Sequence, residues 1–278
     1  MFDAEKLTQL RRVTATSPSP CGRFVAVAVQ RLDPEESKYI SDLWRVSLTE
    51  PGAPPLQLTR GASKDTSPQY RCDGALGFLS NRNPRDGKPQ EGDEERSQVW
   101  LLPADGGEPV PLTDEPLGVG GFRFAAAVPR LFVLTDVLPG VPHAEQRAKG
   151  AELHKHGPSA LHFDRMPVRF WDHWLQRPAP HVIAYVDGER RDLTPTADRE
   201  HREAEWDVSA DGDLVVITRA GAVAADGVND VSLLVVDVAT GGSHEVGRAA
   251  QSTSESPVLS PDGSQIACVR DERRAGRA

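Results

Sequence analysis

Clustered positive charge is missing from this chain. Lys plus Arg total 32 against 41 Asp plus Glu, a formal net charge of −9. That balance excludes the nonspecific grip on nucleic acid or anionic membrane that depends on basic patches. Long apolar runs are missing too: none approaches the ~20 residues that a membrane helix needs. The start, Met1-Phe2-Asp3-Ala4-Glu5-Lys6, has no basic segment leading into an apolar stretch, so no secretory signal is visible. Cysteine is scarce. Cys21, Cys72 and Cys268 are odd in number and far apart, which argues against a disulfide framework or a paired thiolate metal site and fits a reducing compartment. The expectation is a cytoplasmic protein with no nucleic-acid and no membrane partner. Gly (24) and Pro (23) are frequent instead, so turns should be many and long helices few.

What the sequence does contain is a repeat. Four segments pair a Gly-containing turn with a following apolar strand: Ser19-Pro20-Cys21-Gly22-Arg23 before Phe24–Val27, Arg71-Cys72-Asp73-Gly74 before Ala75–Phe78, Ser209-Ala210-Asp211-Gly212-Asp213 before Leu214–Ile217, and Ser260-Pro261-Asp262-Gly263-Ser264 before Gln265–Val269. Asp-Gly between β-rich runs is a hairpin signal, because such turns need φ > 0. A second series interleaves with the first. Strands at Asp42–Val46, Gln98–Leu102, His181–Val186 and Val231–Asp237 each run into a second hairpin. Three of these hairpins close on Leu-Thr, at 58–59, 112–113 and 193–194.

One turn motif plus one hairpin makes four short strands in about 45–50 residues, the period of a propeller blade. The fold class expected is all-β, a β-propeller of about four and a half blades. The blades fall at about 17–60, 66–114, 120–195, 203–248 and, as a half blade, 252–270. In the third blade the turn has decayed to Val128-Pro129-Arg130, and an insertion at 136–180 separates its halves. An ordinary β-sandwich with fortuitous turns would not place two motif series in register.

The insertion breaks the β-pattern. Ala144–Leu153 is rich in helix formers and reads as a short helix or an ordered loop. Beyond it lies Pro167-Val168-Arg169-Phe170-Trp171-Asp172-His173-Trp174, a dense aromatic and charged cluster. Two readings fit. Trp171 and Trp174 could anchor the loop against blade three, or Arg169, Asp172 and His173 could face a substrate, since loops on a rigid scaffold carry much of function. His143, His154, His156, His162 and His173 all lie in this stretch, but without cysteine or a His-Glu-x-x-His pattern they read as solvated loop histidines rather than a metal site. No cofactor is expected.

With these residues in view, the chain resembles the N-terminal propeller of the prolyl oligopeptidase family of serine peptidases, in the acylaminoacyl peptidase and dipeptidyl-peptidase branch. The Ser-Pro-Asp-Gly turn at 260–263 is similar to the repeat that these propellers share with TolB-like propellers. The run Val168–Trp174, followed by Pro180-His181 and Asp192-Leu193-Thr194-Pro195, looks like the Arg-His-Trp-Asp-x-Trp segment of bacterial members, with Phe170 where His is usual. The resemblance covers about residues 5 to 270. It implies a following α/β-hydrolase domain carrying a Gly-x-Ser-x-Gly nucleophile, an Asp and a His. No such elbow exists in these residues. The nearest string, Gly241-Gly242-Ser243-His244-Glu245, lacks the final Gly. Nothing catalytic carries over.

The expected function is therefore the non-catalytic, substrate-gating propeller part of a serine exopeptidase. It would act on peptides through a missing or separately encoded α/β-hydrolase domain. The alternative is a stand-alone TolB-like or WD40-like propeller serving as a protein-binding scaffold. An open fan of blades leaves terminal faces uncovered, forgoing about 10 kcal/mol for each ~400 Å² of apolar surface. That points to a split or truncated gene product, a poorly folding remnant, or association with a partner or with itself through the open faces.

Overall fold

The computed structural model describes residues 9–273 apart from 34, 36–37, 62, 89–94, 158–168, 171–172, 175–177, 199–200, 202–203 and 224–228. The described residues form short antiparallel sheets and one α-helix. No helix among them is long and apolar enough to cross a membrane. The chain divides into two compact units, Met1–Phe124 and Ala125–Ala278.

Unit one holds two four-stranded sheets in simple up-and-down order. The first is β1 (Arg12–Pro18), β2 (Phe24–Leu32), β3 (Tyr39–Ser47) and β4 (Leu56–Gln57). The second is β5 (Thr66–Tyr70), β6 (Leu76–Ser80), β7 (Gln98–Leu102) and β8 (Val110–Pro111). The period-two alternation of strands sorts their side chains. Ala26 and Ala28 of β2 and Leu43 of β3 turn to one face and bury completely against Leu76, Phe78, Trp100 and Leu102 of the next sheet. β9 (Val119–Phe124) ends the unit. Its Phe122 and Phe124 rings meet edge to face at 5.5 Å over Gly77, where an added Cβ would lie 2.4 Å from the Phe124 ring.

Unit two begins with β10 (Leu131–Val137), which pairs with β13 (Ala179–Val186), which pairs with β14 (Glu189–Asp192). Between β10 and β13 come α1 (His143–Lys155), β11 (Arg169–Phe170) and β12 (His173–Trp174). A larger sheet follows, made of β15 (Trp206–Val208), β16 (Leu214–Val223), β17 (Asn229–Asp237), β18 (Ser243–Val246), β19 (Ser252–Leu259) and β20 (Ile266–Glu272). β15 to β18 are a four-stranded blade, and β19–β20 a half blade joined to β17 by one parallel pair, Val231 with Thr253. Central strands bury both faces, so they read as continuous apolar runs. Val215 and Ile217 pack with Phe132, Val182 and Val236, while Val216 turns the other way onto Leu233, Val235 and Leu259.

Two repeated devices explain the sequence repeat. At the first turn of a blade, the Gly takes a left-handed backbone: φ is +69° at Gly22, +87° at Gly74, +72° at Gly212 and +70° at Gly263. The turn's first residue takes back the Gly amide through its carbonyl, at 2.8–2.9 Å in all four. Where that first residue is Ser, its hydroxyl also accepts an amide five residues on: Phe24 to Ser19 (3.1 Å), Leu214 to Ser209 (2.9 Å) and Gln265 to Ser260 (2.9 Å). The second device lies in the Leu-Thr closings. The hydroxyls of Thr59, Thr113 and Thr194 accept the amides of Leu43, Val99 and Val182 at 2.9–3.0 Å, continuing the third strand's ladder where the fourth strand has ended.

Candidate functional site

The two ends of the strands differ in chemistry. One end carries the exposed glycine turns. The other carries the connection from a blade's second strand to its third, and from its last strand to the next blade. Buried polar groups collect there.

In unit one, this end is built from the close of β2, the start of β3, the entry to β5 and the close of β6. Arg82, just past β6, donates to Asp65 at 2.6 Å. The Asp65 residue is 1% exposed, and the Arg82 side chain 12%. Ser80 Oγ donates to the other Asp65 oxygen at 2.7 Å, and Arg82 Nε donates to Ser63 Oγ at 3.3 Å. The guanidinium also lies 5.7 Å from the Phe78 ring centroid and 5.8 Å from that of Trp100, a placement that favours a cation over an aromatic face. Burial pushes the Asp65 carboxyl above its ordinary range. The Arg82 charge and the Ser80 hydroxyl pull the other way and do not overcome it. Beside this group, Arg31 pairs with Asp42 at 3.1 Å and Lys64 with Glu95 at 2.8 Å.

In unit two, the same strand end receives the insertion, because β10 is a second strand and β13 a third. The helix α1 is polar, and its one buried residue is Gln146. The Gln146 amide closes the strand end completely: Oε1 accepts from Leu138 N at 2.8 Å, and Nε2 donates to Leu138 O at 2.9 Å and to Val141 O at 2.8 Å. His181, the third residue of β13, holds its ring Nδ1 2.8 Å from Asp192 Oδ2, and Asp192 Oδ1 accepts from Thr194 N at 3.0 Å. His181 is 4% exposed. His201 Nδ1 lies 3.1 Å from Thr218 O, and Glu205 N donates to Thr218 Oγ1 at 3.0 Å.

The residues singled out from sequence fall in this connection. Arg169 lies in β11, paired in register with Trp174 of β12, and His173 lies in β12, paired with Phe170. The backbone thus brings Arg169 and His173 onto adjacent short strands. Asp172 and Trp171 lie outside the described residues, as does His162. His143 and His154 stand eleven positions apart on α1, roughly 16 Å along the axis at 1.5 Å per residue, too far to share one ion. Among the described residues no group of three or more His, Cys, Asp or Glu is placed to hold a metal. Ser243 opens β18 in an antiparallel hairpin opposite Val236, so the string at 241–245 is a hairpin strand and not a nucleophile elbow. Ser17 and Ser19 accept backbone amides from Tyr70 and Phe24.

The Asp65–Arg82 pair escapes sequence reasoning. Its members stand 17 residues apart on either side of the β5–β6 hairpin, and no periodicity links them. The usable signal is a pair of opposite charges flanking the hairpin whose second strand is the apolar run Ala75–Leu79.

No known family profile matches the chain. Among curated proteins, the uncharacterized peptidase YuxL of Bacillus subtilis is 30% identical over 120 residues, 43% of this chain and 16% of that protein. Among solved structures, the acylaminoacyl peptidase of Pyrococcus horikoshii matches 95% of the chain with a TM-score of 0.59 at 11% identity, covering 36% of that protein. A protein described as TolB from Agrobacterium tumefaciens matches 95% of the chain with a TM-score of 0.52 at 15% identity, covering 70% of that protein. The chain thus spans little more than a third of the acylaminoacyl peptidase's length, and its match spans less than a fifth of YuxL. In fold, the chain is a β-propeller, incomplete at about four and a half blades, similar to the propeller of the acylaminoacyl peptidase.

Proposed function

We propose that the chain is the non-catalytic, substrate-gating propeller part of a serine exopeptidase of acylaminoacyl peptidase or dipeptidyl aminopeptidase type, working on peptides in the cytoplasm with an α/β-hydrolase domain supplied outside these residues. The observation that carries the reading is the likeness of 95% of the chain to an acylaminoacyl peptidase. The 120-residue match to a curated peptidase supports it at the level of sequence. The inserted connection between β10 and β13 supports the gating part. It leaves the strand end of unit two where the buried Gln146, His181 and His201 collect, and Arg169 and His173 lie on it in paired strands. Asp172 between them belongs to the same candidate set. Three free cysteines, two of them exposed, agree with a reducing compartment.

The experiment pairs an activity assay with active-site labelling. Alone, the chain should hydrolyse neither aminoacyl- nor dipeptidyl-nitroanilides and should take no label from a fluorophosphonate serine probe. Co-expressed with a hydrolase-domain polypeptide, it should yield hydrolysis of short peptides but not of long ones. Labelling of the isolated chain would overturn the non-catalytic assignment. A second reading, a scaffold propeller, is favoured by the TolB likeness, which takes in 70% of that protein. It gains if no hydrolase polypeptide binds the chain and activity is never restored.

A further inference from the structure

Where blades meet within a unit, a hydrogen bond recurs at one position. The residue two places before the first turn accepts an amide from the next blade's innermost strand, and the donor is the residue one place before that blade's own turn, which in the third blade opens at Ala125, whose amide donates to Arg130 O at 3.1 Å. Ser17 Oγ accepts from Tyr70 N at 3.1 Å, Gln69 Oε1 from Phe124 N at 3.0 Å, and Asp207 Oδ2 from Leu259 N at 2.9 Å. Arg123, at the corresponding place in β9, has a side chain that only donates.

The first blade and the half blade depart from this pattern in matching ways. In the half blade the acceptor position is Val258, which has no acceptor, and its side chain is 56% exposed. In blade one the donor position is Pro18, which has no N–H. One side of the seam has lost its acceptor and the other its donor. Losing both partners together is nearly free, whereas losing one strands a polar group.

The surroundings agree. Val258 shares its face with Ala267, its cross-strand partner, and with Val269, which is 62% exposed. Pro18 shares its face with Val25, Val27, Trp44 and Val46, the partners across β2 and β3. All four are only half-buried, while Ala26 and Ala28 on the opposite face bury fully.

We propose that these two faces are complementary halves of one interface between two copies of this chain, with the β19–β20 face of one copy seated on the β1–β2–β3 face of another and Val258 against Pro18. The contact is head to tail, so two copies must close on each other or add further copies. The inference stands on the blades alone and does not depend on the peptidase reading.

The test is the mass of the full chain in solution by light scattering and sedimentation, at tens of micromolar. The expected mass is at least twice 30.2 kDa. Val258→Asp and Thr16→Asp place a charge on the two faces at exposed positions, and each should weaken association at least tenfold with an unchanged circular dichroism spectrum. Each variant keeps the face that the other has lost, so mixing Val258→Asp with Thr16→Asp should restore a 1:1 pair while neither associates with itself. A monomeric wild-type chain would overturn the proposal. So would two variants that associate as the wild type does, or a mixture that stays monomeric. A partner that shifts only one face, such as an added propeller fragment, would show as loss in Val258→Asp with no effect of Thr16→Asp, and would equally overturn the two-copy form.

Discussion

The amide of Leu43 donates to the hydroxyl of Thr59 at 3.0 Å, in a fully buried setting. The same bond recurs at Val99–Thr113 and Val182–Thr194. A buried amide left without an acceptor costs about 1–3 kcal/mol. Thr59→Val, Thr113→Val and Thr194→Val should therefore each destabilise by that amount despite conserving shape, and Thr→Ser should lose less. Urea unfolding curves measure the difference, and equal midpoints for Thr and Val would refute it.

Gly77 lies under the Phe124 ring, with no room for a Cβ. Gly77→Ala should force the Phe122–Phe124 pair off β6 and destabilise by about 1–3 kcal/mol, the usual cost of overpacking. Gly77→Ala combined with Phe124→Leu should recover part of the loss. Thermal melts of the three proteins decide it.

The buried Asp65–Arg82 pair is expected to matter most when it is broken unevenly. Asp65→Asn leaves the Arg82 guanidinium without its carboxylate and should cost about 3 kcal/mol, whereas replacing both residues by apolar ones of similar size should cost less. A double variant as unstable as the sum of the singles would contradict this.

Two aspartates should titrate in opposite senses. Burial holds Asp65 above its unfolded value, so its share of stability is full below the unfolded pKa and declines as pH rises through the folded one. Asp262 is held at about 2 by the hydroxyls of Ser260 and Ser264 and the Ser264 amide. Its share is present above the unfolded pKa and declines as pH falls from about 3.8 toward about 2. On acidification Asp65 should protonate before Asp262, and carboxyl carbon shifts in NMR should show that order.

Cys21 is exposed, with its sulfur 3.3 Å from Ser19 Oγ. The Ser19 hydroxyl, helped by Arg23, brings the thiol down to about 7. Alkylation of Cys21 should therefore rise with a midpoint near pH 7, and Ser19→Ala should move that midpoint upward. Mass spectrometry across pH reads both.

Much of this architecture is legible in the chain because its parts are local. Gly22, Gly74, Gly212 and Gly263 announce turns, and all four have the positive φ that an Asp-Gly or Cys-Gly turn demands. The Leu-Thr closings mark where a third strand needs a side-chain acceptor, although their hydroxyl bonds are visible only in three dimensions. The helix formers at 144–153 lie within α1. The polar strand end is a different matter. Asp65 meets Arg82, and Gln146 meets Leu138, through strand register and chain reversal, and neither leaves a periodic trace. The joining of β19 to β17 through Val231 and Thr253 was equally hidden, since one parallel rung needs no sequence signature. Of the three residues picked from the insertion, Arg169 and His173 come together on β11 and β12, and Asp172 lies outside the described residues.

The Ser–Gly turn has one more consequence. The hydrogen bonds that shape it close within six residues, and the neighbouring sheet adds to them at 209–213, where Ala127 N donates to Ala210 O and Arg130 to the carbonyls of Asp211 and Gly212. Each blade therefore carries the closure of its own first turn within its own sequence, and can gain or lose residues elsewhere without opening it.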